Sequence, residues 1–499
     1  MNTEHTHSDR HRALIVSDMH LTEVLTPVRG WMYYKKPELL VDESFDALVA
    51  EALATLAPGE AFTLVLNGDI FDFDLVTTVP KPAPWSVSSA ERRYGLHPTP
   101  AKSAWKLEQM LAAHPRFVAA LARVLSAGQE VVYVLGNHDR ELAFPTVQAR
   151  LRAAVAAAAG IEPAAAALRF EPWCHHVPGA LWVEHGNQHD DWSAFHDLVE
   201  PTASAAPEAA VELPMGNLSC RYLINRIGTF NPHDEDFIRS GPAYVAHWLR
   251  HYAFSRHSLI GAWLLGSLLI MVAMLRRDRP SRATVAARRE RLRAEGARHG
   301  LTTEQVDALA ARHRRPVAEQ PLRLARELWL DRVLLILLMV GGTLSLALTP
   351  VPLWVKLMVP LAAFPLTWLL WNQVFSGSIF DYLRSLPAVG RHLAEVTGAP
   401  VVVMGHTHHA GLTPLDRDRV LANTGTWAPV GAGLDGEALT PGKQNFVVVA
   451  WRRGEVPSVR VGSWLAPTPS PAFATAPAAA LARRPAAPTE LAALAGEPA

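Results

Sequence analysis

Val131-Val132-Tyr133-Val134-Leu135-Gly136-Asn137-His138-Asp139 is the stretch on which the fold turns. Five β-prone apolar residues run into a glycine, and three polar side chains follow, each able to coordinate a metal or move a proton. A buried strand ending in such a cluster reads as the floor of an active site. Taken alone, Gly136-Asn137-His138-Asp139 also reads as a turn. The decision rests on whether other parts of the chain repeat the pattern.

Four others do. Arg12-Ala13-Leu14-Ile15-Val16-Ser17 reads as a strand running into Asp18-Met19-His20. In extended chain, residues two apart share a side, so Asp18 and His20 are placed to meet one ion. Ala61 to Leu66 runs into Asn67-Gly68-Asp69-Ile70-Phe71-Asp72. Leu181 to Glu184 delivers His185, and Pro400 to Met404 ends in Gly405-His406-Thr407-His408-His409. The C-terminal ends of strands are where open α/β sheets place their sites. Helical spacing predicts helices over 42–57, 104–127 with a break at Pro115, 146–159 and 379–397, with further strands at 420–427 and 445–451.

Composition narrows the function classes. The 499 residues allow two or three domains, and the formal net charge of zero gives no sign of a nucleic-acid partner. Two cysteines, Cys174 and Cys220, exclude a disulfide scaffold and a cysteine-based zinc site, and read as buried thiols. His5, His7 and His11 fall in a polar tail, residues 1–11, expected to be disordered, as is the Ala/Pro-rich stretch 466–499. No secretory signal is visible at the N-terminus.

Two apolar blocks interrupt the soluble pattern. Residues 258–275 carry no charge, and 333–371 carry one, Lys356, in 39 residues, with Pro350 and Pro352 near the middle. Both read as membrane segments, the second as a single span or a hairpin within 333–372. Between them, 276–332 holds 15 arginines against 8 acidic residues and reads as a polar loop in which Thr302 and Gln305 cap a short helix. Tyr244, Trp248, Tyr252 and Phe254, beside Arg250, His251, Arg256 and His257, suit a membrane interface.

The five motifs together resemble the calcineurin-like metallophosphoesterase superfamily, whose ordered signature is Asp-x-His, Gly-Asp-x-x-Asp, Gly-Asn-His-Asp, a lone His and Gly-His-x-His. The resemblance covers roughly 12–190 and 400–451. It implies a four-layer α/β/β/α sandwich; the middle of the chain is not part of the shared pattern, and its apolar blocks read as a membrane-associated helical region inserted between the two parts of the domain (12–257 and 373–465). It also implies two divalent metal ions (manganese, iron or zinc) and hydrolysis of a phosphate ester by a metal-bound hydroxide. It assigns Asp18, His20 and His408 to one metal and Asn137, His185 and His406 to the other, with Asp69 bridging. His138 becomes the proton donor, Asp139 its orienting partner, and Asp72 a supporting carboxylate; His189 and His409 receive no role. Parts of the pattern are similar to UDP-2,3-diacylglucosamine hydrolases, which makes a lipid-linked pyrophosphate an alternative substrate. His138 stands where those enzymes are expected to carry arginine, which favours a general phosphoesterase. A membrane sensor or scaffold keeping the fold without turnover is the alternative from another class.

Motifs on both sides of the apolar blocks must share one site, so the chain crosses a bilayer an even number of times between His185 and His406. A hairpin at 333–371, with 258–275 dipping in without crossing, keeps the arginine-rich loop and the catalytic domain together. This arrangement is expected on the cytoplasmic side of the membrane.

Overall fold

The computed structural model describes residues 9–26, 32–37, 40–202, 209–227, 259–277, 281–374, 380–431, 439–440, 442–465 and 476–477. The aromatic and basic residues 244–257 expected at a membrane interface lie outside this range. The fold is mixed α/β with two large sheets and a two-stranded ribbon of β10 (Val430–Gly431) and β11 (Leu439–Thr440).

The first sheet runs β14 (Ala476–Pro477), β13 (Ser458–Ser463), β12 (Asn445–Arg452), β1 (Arg10–Val16), β2 (Ala61–Asn67), β3 (Glu130–Val134) and β4 (Leu168–Glu171). Strands β1 to β4 are parallel, and β12 closes antiparallel on β1. The second sheet runs β5 (Cys174–Val177), β6 (Leu181–Glu184), β7 (Val401–Met404), β9 (Val420–Asn423) and β8 (Gly411–Pro414), with parallel β6, β7 and β9 inside. The parallel strands carry the unbroken apolar runs, as burial on both faces demands. Strands β6 and β7 are direct neighbours although residues 185–400 separate them in sequence. The region expected to be an insertion therefore leaves and rejoins at one place in the sheet.

Alternation along the strands sorts the apolar residues into three clusters. Ala13, Ile15, Val65 and Val132 meet Leu181, Val183, Val401 and Val403 between the sheets. Leu14, Leu64, Val131 and Tyr133 face the other way, onto α1 (Asp42–Ala54), α3 (Pro100–Ala113), α4 (Pro115–Ser126) and α5 (Pro145–Ala159), α2 (Ser89–Tyr94) being a short helix before them. The break expected at Pro115 separates α3 from α4, where proline opens the second helix. Trp182, Val402 and Met404 meet Leu386, Val389 and Leu393 on the outer side of the second sheet.

Several expectations are corrected. Of the N-terminal stretch expected to be disordered, Arg10 and His11 pair with Arg452 and Trp451, and the His11 ring stacks on Trp451 at 5.3 Å, while His5 and His7 lie outside the described residues. Within the C-terminal stretch, Ala476–Pro477 pair with β13. The arginine-rich segment is helical rather than a loop. After α6 (Met215–Ser219) and α7 (Leu259–Leu275) it forms α8 (Arg282–Arg298), α9 (Thr303–Ala310) and α10 (Pro321–Glu327). Leu301, Val306 and Leu309 are buried in the same cluster as Trp173 and Trp182, and Thr302 and Gln305 do form the capping box. Arg291 pairs with Asp197, Arg323 with Asp191, and Glu295 of α8 and His299 just past its end meet Glu171 of β4, where Arg169 and Arg298 balance the carboxylates.

Helices α11 (Leu330–Ala347) and α12 (Leu353–Val374) form a hairpin, and both are long and apolar enough to cross a membrane. They bury only 6% and 0% of their most apolar windows inside the protein. Trp371 Nε1 donates to Asp331 Oδ2 at 2.8 Å at the base, and Lys356 Nζ donates to the Ala347 carbonyl at 2.7 Å at the tip. The single charge of the block thus lies at a helix C-terminus, where a cation is favoured. Helix α7 is two-faced: Ile270 and Met274 are buried in the main core, while Leu264, Leu265, Leu268, Val272 and Leu275 are exposed.

Candidate metal centre

The C-terminal ends of strands from both sheets converge. Asp18 N donates to the Gly68 carbonyl at 3.1 Å and His20 N to the Asp69 carbonyl at 3.0 Å, which ties the loops after β1 and β2. Gly405 N donates to the His185 carbonyl at 3.0 Å, tying β6 to β7. Asn67 Nδ2 reaches the Glu184 carbonyl at 3.0 Å and so joins the two sheets beneath the centre.

Two groups of ligand atoms result. Asp18, His20 and His408 bring one ligand atom each to within 4.8 Å of one another, and Asp69, His185 and His406 do the same. His408 Nε2 lies 3.2 Å from Asp18 Oδ1 and 3.3 Å from His20 Nε2. His185 Nε2 lies 3.2 Å from Asp69 Oδ2. Asn137 is buried, and its Oδ1 accepts no hydrogen bond. A third group, His20, Asp72 and His138, adjoins the first.

The backbone is shaped for this crowding. Asp18, His20, Asp69, His406 and His408 all have positive φ, between 50° and 66°. Five non-glycine residues in the left-handed region at one place is concentrated strain of the kind that clusters at functional sites. A Cβ on Gly68, whose φ is +78°, would lie 2.5 Å from His185 Nδ1, and one on Gly405 would lie 2.6 Å from Ser17 Oγ. These glycines let ligand loops approach more closely than a side chain permits.

Partners behind the ligands set their tautomers. His185 Nδ1 donates to the Asn67 carbonyl at 2.9 Å, leaving Nε2 for the centre. His406 Nε2 lies 3.1 Å from Asp190 Oδ2, leaving Nδ1. His20 Nδ1 lies 3.5 Å from Asp72 Oδ2. Asn217 of α6 donates to the Asn137 carbonyl at 2.9 Å and to Asp74 Oδ2 at 2.6 Å. Asp190 and Asn217 were not singled out from sequence: one sits beside a histidine with no assigned role, the other in the unpatterned stretch 191–257. The helical segment braces the loop carrying Asp190, with Arg314 N on the Gln188 carbonyl at 2.8 Å and Val317 N on the Asp191 carbonyl at 2.9 Å.

Asp139 does not orient His138. Its carboxylate turns back to accept Gly136 N at 2.7 Å, Ile70 N at 2.9 Å and the Tyr133 hydroxyl at 2.7 Å, binding the loops after β2 and β3 to each other. Asp72 takes the role instead, with Oδ2 3.1 Å from His138 Nδ1. His189 is structural, its Nε2 2.7 Å from Glu184 Oε1.

Electrostatics follow from the crowding of carboxylates. Burial works against a charged His138, but Asp72 and then Asp69 outweigh it and push its pKa up to about 10. Burial likewise opposes a charged His185, which Asp69 overrides to about 9. Burial, then Glu141 and Asp72, push Asp74 up to about 7. Burial works against the Asp69 carboxylate, but His185 and then His138 hold it well below the usual range.

No protein-family model matches the chain, and no curated protein matches it. What the centre can hold is therefore argued from its donors. Mixed carboxylate, carboxamide and imidazole donors suit manganese, iron or zinc. The buried acceptor Asn137 Oδ1, which accepts no hydrogen bond, and the imidazole nitrogens freed by their outer partners fit divalent cations.

Proposed function

We propose that this protein is a membrane-attached phosphoesterase of the calcineurin-like kind, working with two divalent metal ions. The reading rests chiefly on one observation: two triads of ligand atoms, Asp18/His20/His408 and Asp69/His185/His406, meet at the ends of four strands, β1, β2, β6 and β7. The helix–sheet–sheet–helix stacking agrees with the four-layer sandwich that the resemblance implies. Asp18, His20 and His408 would hold one ion, Asn137, His185 and His406 the other, and Asp69 would serve both. Such a pair supplies Lewis acidity toward phosphoryl oxygens and lowers the pKa of water.

The protein's own groups do the rest. Asp72 holds a proton on His138 Nδ1, which leaves Nε2 as the atom able to protonate the leaving oxygen. Asp190 and the Asn67 carbonyl fix His406 and His185 so that neither needs to reorient during turnover. Asp139 keeps the loops after β2 and β3 in register.

The hairpin α11–α12 is the membrane anchor in this reading, since its leucines stay exposed and its apolar windows are almost unburied among the described residues. Helices α8 to α10 pack on the catalytic body, so the arginine-rich segment and the centre lie on the same side of the bilayer. Hydrolysis of an aryl phosphate monoester or diester by purified protein with manganese tests the reading. Metal binding without turnover on any phosphate ester would replace it with a non-catalytic sensor.

A further inference from the structure

Away from the metal centre, a cavity of about 390 Å³ opens where α7 ends. Its walls include Val211, Leu213, Leu218, Tyr222 and Ala273. Four arginines line it (Arg221, Arg276, Arg277 and Arg288) against a single glutamate, Glu212. Two of the guanidinium groups are committed. Arg221 donates to the Leu96 carbonyl at 2.9 Å and to the Gly95 carbonyl, and Arg277 pairs with Glu212 at 3.0 Å and donates to the Leu213 carbonyl. Glu212 also takes His196 Nδ1 at 2.6 Å. Among the described residues, Arg276 and Arg288 form no ion pair. Arg288 adds its charge to the field on Glu212, but among the described residues neither guanidinium is taken up by an ion pair, so the cavity offers two cationic groups over apolar walls, a pairing that suits an anion carrying hydrocarbon.

Its position says which. Arg276 directly follows α7, whose outward face is Leu264, Leu265, Leu268, Val272 and Leu275. An apolar helix surface that ends in two arginines matches the step from acyl chains to headgroups in a bilayer. We propose that this cavity binds the phosphate headgroup of an anionic lipid, with Arg276 and Arg288 on the phosphate and an acyl chain along the exposed face of α7. The site is separate from the metal centre but close in the chain: Leu218 lines it, and the adjacent Asn217 holds the Asn137 carbonyl. A wall of the cavity and the partner of a proposed metal ligand are thus adjacent residues of α6.

Binding of dioctanoyl phosphatidic acid to the full chain in non-ionic detergent tests this, with inorganic phosphate and dioctanoyl phosphatidylcholine as the comparison ligands. The wild type is expected to bind phosphatidic acid in preference to both. The Arg276→Ala/Arg288→Ala variant should bind it about tenfold or more weakly, as loss of charge-assisted hydrogen bonds implies. Neither side chain forms an ion pair among the described residues, so an unchanged Tm is expected and verifies that the variant is folded, independently of any hydrolytic activity. Equal affinity of wild type and variant for phosphatidic acid would overturn the proposal. Equal affinity of the wild type for phosphatidic acid and inorganic phosphate would overturn the lipid assignment.

Discussion

Asp72 Oδ2 lies 3.1 Å from His138 Nδ1 and 3.5 Å from His20 Nδ1, so one buried carboxylate serves both a proposed metal ligand and the proposed proton donor. Asp139, although next to His138 in sequence, bonds to Gly136, Ile70 and Tyr133 instead. The two carboxylates therefore fail differently when removed.

Asp72→Asn is expected to lower kcat about a hundredfold, within the range for loss of a positioned acid. It should also move the alkaline limb of the pH–rate profile to lower pH. The sign follows from His138: Asp72 raises its pKa toward about 10, so neutralising Asp72 lets the proton leave earlier as pH rises. A profile unchanged in shape would remove Asp72 from this role. Asp139→Asn should keep the limb in place and lower Tm.

Gly68→Ala should cost both metal content and activity, because the new Cβ would lie 2.5 Å from His185 Nδ1 and the residue has φ +78°. Metal analysis of the purified variant checks this. Wild-type metal content would show that the loops have more room than the close approach implies.

Glu23 gives a prediction on stability. It takes Lys35 Nζ at 3.2 Å and Thr77 N at 2.8 Å, clasping three loop segments. Burial alone would raise its pKa, but Lys35 and the threonine hydrogen bonds hold it below the ordinary 4.5. A carboxyl with a depressed folded pKa stabilises fully above its unfolded value, and that stability fades as pH falls through the folded one. Glu23→Gln should therefore cost about 3 kcal/mol at neutral pH. The Tm gap to wild type should narrow below pH 4.5, the ordinary value of the group. A gap constant from pH 7 to pH 3 would contradict this.

The docking of α8 and α9 predicts membrane topology. A tag inserted within 281–320 and one placed after residue 465 should behave alike toward protease added outside the cell. Cleavage of only one would separate the helical segment from the body that carries the proposed metal centre and exclude the hairpin arrangement.

Strands and candidate ligands were legible because each carries its own local signal, an apolar run ending in glycine and donor residues. Roles set by long-range contact were not. Asp190 reaches His406 across 216 positions and Asn217 reaches Asn137 across 80, and neither has a local signature. The resemblance implied Asp139 as the partner of His138, whereas the turn sends these neighbouring side chains apart. In the arginine-rich segment, charge count concealed Leu301, Val306 and Leu309, three apolar residues enough to seat α9 on the second sheet's outer cluster. The positive φ of five proposed ligands is a property of the closed loops, with no residue type to announce it.

Asp69 is the residue both proposed ions share, and it tests the central claim most directly. Metal content and aryl phosphate hydrolysis should be measured side by side for wild type and Asp69→Ala. The wild type is expected to hold about two ions per chain, as two-metal hydrolases do, and to turn over. Asp69→Ala should hold fewer and lose hydrolysis; full activity in that variant would contradict the account.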